Sequence, residues 1–185
     1  EYNRLNHLGF LSNYFLRKLV SLNLKNNLIK YVKVDDFKNF KSLENLYLSN
    51  NPIHIFEINT FKSLRLKKLY ISNLTLNSNF SLNLREIYPI IYEFDMSNCF
   101  ISNFYFRKIG SLEVLLMQKV SKNIIDGLSL NLFFPYVKKV DLSQNKINFT
   151  EKRGLLSNLI NLKTLNLSSV NLKNLDDIDL TYCPN

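Results

Sequence analysis

The chain has 185 residues, 46% hydrophobic and 21% charged, with a formal net charge of +9. That composition suits one globular domain with its own core and excludes fibrous and disordered chains. Gly and Pro number only four each, so few turns can rely on glycine, while Asn, Lys, Ile, Phe and Tyr are heavily used.

The positive charge points to no particular partner. Lys and Arg are spread from Arg4 to Lys173, with 18 Lys against 6 Arg, and form no stripe. Nucleic acid is therefore not the expected ligand. Cys99 and Cys183 make neither a disulfide framework nor a C-x-x-C pair. No apolar run approaches the length of a membrane helix, and the opening "EYNRLNHLGF" lacks the basic and apolar regions of a signal peptide.

In chain order, Asn3 and Leu5 read as the tail of a truncated unit over residues 1–18. The first full unit sets Leu19, Leu22, Leu24, Asn27 and Ile29 on the pattern L-x-x-L-x-L-x-x-N-x-L. The second, Leu43, Leu46, Leu48, Asn51 and Ile53, is the cleanest. The third uses Leu66, Leu69, Ile71, Leu74 and Leu76, and the fourth Ile91, Phe94, Met96, Cys99 and Ile101. In the fifth, Leu112, Leu115, Met117 and Val120 fit, but Lys122 takes the last apolar position. The sixth uses Val137, Val140, Leu142, Asn145 and Ile147, and the seventh Leu162, Leu165, Leu167, Val170 and Leu172. Steps between units are 24, 23, 25, 21, 25 and 25 residues.

Each L-x-L alternates as a short strand does. One unit cannot bury its apolar face alone, so the units are expected to stack around one continuous core. Between strands, Phe37, Phe40 and Leu43 recur at a spacing of three. Phe61 with Leu64, Phe106 with Ile109 and Leu112, and Leu156 with Leu159 and Leu162 do the same.

On these motifs, which run through nearly the whole chain, the sequence resembles the leucine-rich repeat family. The F-x-x-L-x-x-L entry and a period near 24 are similar to animal extracellular members, such as Toll-like receptor, Slit-like and chaoptin-like ectodomains. The resemblance implies an α/β-type solenoid, a horseshoe with a concave parallel β-sheet and an irregular or short-helical convex side. It also implies a buried ladder of side chains bonding neighbouring loops, kept here by Asn27, Asn51 and Asn145, with Cys99 as a substitute. Leu74, Val120 and Val170 depart from it. The whole of 1–185 reads as one solenoid segment. No polar cap is recognisable at either end, so we expect a piece of a larger protein. Near the end, Leu175, Ile178, Leu180 and Cys183 fit the template again, but only 13 residues after Leu162, which is too short for a full turn.

No constellation for catalysis is apparent. His7 and His54 fall in separate units, Cys99 has ladder spacing, and Asp176, Asp177 and Asp179 read as a solvated acidic turn. No phosphate-binding glycine motif exists. The expectation is a non-enzyme without cofactor or metal.

If the first, fourth and sixth positions of each unit face the core, the third, fifth and seventh face outward across the concave sheet. The seventh is mostly serine and reads as structural. The third and fifth give a mixed strip of Tyr47, Lys68, Tyr70, Glu93, Asp95, Val114, Leu116, Lys139 and Asp141. Tyrosine offers large apolar area with a polar tip, so this strip is the expected site for a protein or microbial ligand. Four N-x-S/T sequons at Asn73, Asn79, Asn148 and Asn166 are candidate glycosylation sites, although their number is no more than chance provides. The expected protein is part of a cell-surface or extracellular receptor or adhesion ectodomain, with room for dimerisation at full length. The competing expectation is a cytosolic scaffold, adaptor or regulatory subunit.

Overall fold

The structure, a computed structural model, describes residues 3–57, 59–74, 81–83, 91–99, 103–105, 111–120, 130–147, 153–181 and 183. The L-x-L segments form three-residue strands: β1 (Ser21–Asn23), β3 (Asn45–Tyr47), β5 (Lys68–Tyr70), β7 (Glu93–Asp95), β9 (Val114–Leu116), β10 (Lys139–Asp141) and β11 (Thr164–Asn166). They make one seven-stranded parallel sheet in the order β1-β3-β5-β7-β9-β10-β11. Like positions pair with like: Asn23, Tyr47, Tyr70, Asp95, Leu116, Asp141 and Asn166 form one row. The chain is a solenoid in which each strand is separated from the next by a full turn.

The return side holds shorter pieces. β2 (Tyr31–Val32) pairs with β4 (Ile55–Phe56), and β6 (Ser81–Asn83) with β8 (Asn103–Tyr105), all parallel. Single-turn 3-10 helices at Val34–Phe37 and Arg153–Leu155 and a one-turn α-helix at Leu130–Phe133 complete it. The convex side is thus short-helical as expected, with two-residue parallel strands that the leucine pattern does not announce.

The core runs along the solenoid axis. Leu43, Leu46, Leu48, Leu66, Leu69, Leu112, Leu115, Val137 and Val140 are fully buried. The returning Phe37, Phe40, Phe61, Leu64, Leu156 and Leu159 close it from the other side. Phe106 and Ile109 lie outside the described residues. In the sixth unit Leu130 and Phe134 do the same work, although that unit shows no F-x-x-L-x-x-L entry. Leu19, Leu22, Leu165 and Leu167 are only partly buried, because the outermost strands are covered from one side.

Van der Waals burial does not by itself set the register of one turn on the next. That task falls to the buried asparagines. Asn51 accepts the Ile29 N–H through Oδ1 (3.2 Å) and donates through Nδ2 to the carbonyls of Leu24 (2.9 Å) and Leu48 (2.8 Å). Asn145 accepts the Val120 N–H (2.9 Å) and donates to Met117 and Leu142 (both 2.7 Å). Asn27 accepts from Leu5 (3.2 Å) and donates to Leu24 (3.0 Å). Each side chain therefore closes its own turn and grips the one before. Cys99 has a donor and a weak acceptor only, and its thiol donates to the Ile71 carbonyl (3.0 Å). Leu74, Val120 and Val170 fill their slots with buried apolar groups and make no such side-chain bond.

The residue before each ladder position turns the chain through the left-handed region. Asn26, Asn50, Asn73 and Asn98 have φ between 55° and 59°, and Lys119, Gln144 and Ser169 take the same place with φ of 49°, 58° and 59°. Among the described residues no glycine has positive φ. Asparagine tolerates this conformation better than other non-glycine residues, which gives the asparagine-rich, glycine-poor composition a structural cause.

Asn51→Ala leaves buried backbone groups of two turns without partners, each worth about 1–3 kcal/mol. Chemical denaturation of the variant is expected to show a loss of roughly 2–4 kcal/mol, larger than for Cys99→Ala, whose side chain makes one weaker bond.

Candidate functional site

The concave strip is set by strand geometry. In an extended segment alternate side chains face opposite ways, so with Leu46 and Leu69 buried, Tyr47 and Tyr70 emerge on the open face. Their strands pair in register, and the rings stack with centroids 4.8 Å apart and planes 18° from parallel. The Tyr70 hydroxyl donates to the Glu93 carboxylate on the next strand. Lys68 reaches the same carboxylate at 2.9 Å. Tyr47, Lys68, Tyr70 and Glu93 are thus brought together as one network.

The network leaves an electrostatic signature. Burial pushes the Glu93 carboxyl up, but the bonds from Tyr70 and Lys68 and the charges of Lys68 and Lys139 outweigh it and hold the group below its ordinary value. The hydrogen bond to Glu93 raises the Lys68 ammonium, and burial together with Glu93 raises the Tyr70 phenol. All three stay in the protonation states that bond one another at neutral pH.

The rest of the strip is less uniform. Asp95 and Asp141 share a row with the tyrosines, yet each accepts the N–H two residues on, from Ser97 and from Ser143 (both 2.9 Å). Asp141 also accepts from the Ser143 hydroxyl and from Asn166 Nδ2 (3.1 Å). Asn23 and Asn166 make the same turn, to Lys25 (3.0 Å) and Ser168 (3.1 Å). An Asx residue at this position therefore shapes the strand exit. Val114 and Leu116 are half-buried, and Lys139 is exposed.

The expectation that the seventh position faces outward needs correction. Ser49, Ser72 and Ser143 are buried. Ser72 donates through its N–H (3.2 Å) and hydroxyl (2.9 Å) to the Ser49 hydroxyl. The strand ends after the fifth position and the chain turns inward, so strict alternation no longer holds. Lys25 is the exception in this column. Too long to bury, it carries its ammonium to 4.9 Å from the Tyr47 ring and 5.0 Å from the Tyr70 ring. Sequence reasoning passed over it, and the break in the serine column was the available signal.

Of the sequon asparagines, Asn73 is exposed and donates to Asn50 Oδ1 (2.7 Å), while Asn166 is half-buried on the concave face. Asn79 and Asn148 lie outside the described residues.

The groups weighed for chemistry are engaged elsewhere. His54 packs edge-on to Tyr31 (4.6 Å) and His7 against Phe10 (6.1 Å). Burial pushes the Cys99 thiol up to about 12. Cys183 donates to the Leu156 carbonyl (3.1 Å). The terminal template match forms no strand among the described residues: Leu175–Asp177 is a 3-10 turn, and the Thr181 carbonyl accepts from Asn158 (2.9 Å). The buried Asp36 accepts the Lys33 N–H (2.8 Å) and caps the helix that follows, with burial raising its carboxyl. Among the described residues no cluster of His, Cys, Asp and Glu could hold a metal, and no helix is long and apolar enough to cross a membrane.

A family model described as leucine rich repeat matches residues 1–53 and again 17–76. These matches support a leucine-rich repeat protein. Beyond residue 76 the leucine-rich-repeat solenoid continues in the same strand register. No curated protein matches the chain. Leucine-rich repeats are in general non-catalytic modules for protein–protein interaction.

The Glu93 network makes a pH prediction. A carboxyl held below its ordinary value in the fold stabilises above the unfolded value, here 4.5, and the contribution is lost as pH falls through the folded value. Glu93→Gln is expected to cost roughly 0.5 kcal/mol at pH 7, the scale of a solvent-screened pair. Urea titrations of both proteins are expected to converge as the pH is taken below 4.

Proposed function

We propose that the chain is a non-catalytic recognition module that binds a protein or microbial ligand on its concave face, within a receptor or adhesion ectodomain. The stacked Tyr47–Tyr70 pair carries this reading. Two large rings stand on the open side of a rigid parallel sheet, fixed by Glu93 and Lys68 before any partner arrives. Aromatic anchors whose rotamers are already set lose little entropy on binding, and such residues dominate interface energetics. Val114 and Leu116 extend the anchor with apolar area two strands beyond Tyr70.

The ectodomain setting is supported by the repeat style, with Phe37, Phe40 and Phe61 packed under the strands as in extracellular members. An exposed Asn73 within a sequon is compatible with it. Expression through a secretory pathway followed by peptide mass analysis tests the setting. A glycan at Asn73 or Asn148 supports an ectodomain, and bare asparagines at both favour the cytosolic scaffold.

The binding surface is tested by the combined substitution Tyr47→Ala, Tyr70→Ala and Leu116→Ala. Titration calorimetry with a partner of the full-length protein is expected to show a loss of about 2–4 kcal/mol or more, as for hot-spot residues. Undiminished affinity in a folded triple variant would remove the concave face from consideration.

A further inference from the structure

Lys25 differs from the other lysines that border the strip. Lys67 pairs with Glu44 (2.8 Å), Lys68 with Glu93 (2.9 Å) and Lys138 with Glu113 (2.7 Å), each across neighbouring strands. Lys25 has no carboxylate in ion-pair range among the described residues. What holds it is the tyrosine stack: the ammonium is 4.9 and 5.0 Å from two centroids that are themselves 4.8 Å apart. Three nearly equal sides place the cation at the flank of the stack rather than on the outer face of either ring. Attraction to a ring quadrupole positions an ammonium without neutralising it. Tyr47 contributes a second uncommitted donor, since its hydroxyl has no hydrogen-bond partner among the described residues, whereas that of Tyr70 is given to Glu93.

Resting on the concave-face reading, we propose that Lys25 and Tyr47 form the receiving point for one carboxylate, presented by an extended segment of a partner protein. The charge pattern selects the occupant. One unpaired cation and one hydroxyl suit a single carboxylate. A polyanion running on along the strip would meet Glu93 and Asp95 two strands past Tyr47. Further on, Val114 and Leu116 ask for an apolar side chain. Strands are about 4.8 Å apart, so Leu116, three strands from Tyr47, lies roughly 14 Å away. An extended chain covers about 3.3 Å per residue. The partner segment therefore carries an Asp or Glu about four or five residues from a large apolar residue.

Selection of a random peptide library displayed on phage against the full chain tests this. Enriched peptides are expected to show that acid-to-apolar spacing. A synthetic peptide of the enriched sequence is expected to bind Lys25→Met at least tenfold more weakly, to keep its affinity for Lys25→Arg, and to be indifferent to the exposed Lys173→Met. Lys25→Glu is expected to restore binding of a peptide whose acid is replaced by lysine. The proposal is overturned if no peptide is enriched, if enriched peptides lack an acid, or if Lys25→Met binds them undiminished. Tighter Lys25-dependent binding of a sulfated heparin hexasaccharide overturns it as well. Loss of peptide affinity in Tyr70→Ala and Leu116→Ala, but not in Lys25→Met, would leave the concave surface standing and remove only the carboxylate site. Indifference to all three would remove both.

Discussion

The solenoid depends on a buried side-chain amide that reaches from one turn into the turn before. Asn51 joins carbonyls and an N–H of two successive turns, and Asn27 and Asn145 repeat the arrangement. Hydrophobic burial drives the turns together but is indifferent to small slips. A fixed set of donors and acceptors, taken out of water, is not: a slipped register would strand each of them. The Tyr47–Tyr70 stack needs its strands aligned residue for residue, so the recognition surface inherits its geometry from the ladder.

A division of labour follows within each turn. The first, fourth and sixth positions fill the core, the eighth makes the left-handed bend, and the ninth locks the neighbours. The fifth position divides by chemistry. Where it is Asn or Asp it folds back on the strand exit, as at Asn23, Asp95, Asp141 and Asn166. Where it is Tyr or Leu it has no turn to make and stays available to a partner. Tyr47, Tyr70 and Leu116 are those positions.

The leucine pattern made the strands, the sheet order and the ladder legible, because they repeat with one spacing and one residue type. The tyrosine pair was legible for the same reason, since register alone sets them side by side. Three features were not. The inward turn of Ser49, Ser72 and Ser143 arises where strand alternation ends, which a strict period of two does not show. The role of Lys25 depends on a side chain long enough to leave its column and return over rings from two other turns. The covering of the sixth unit by Leu130 and Phe134 follows from a one-turn helix that lacks the phenylalanine entry seen elsewhere. In each case the outcome turns on a tertiary contact rather than on local periodicity.

The coupling of turns through the ladder is tested most directly by amide hydrogen exchange on Asn145→Ala. The Val120 N–H, which Asn145 accepts from the next turn, is expected to lose its protection together with its immediate neighbours. The Ile29 N–H, held by Asn51 four turns away, is expected to keep its own. Protection at Val120 unchanged by the substitution, or an equal loss at Val120 and Ile29, would contradict the account.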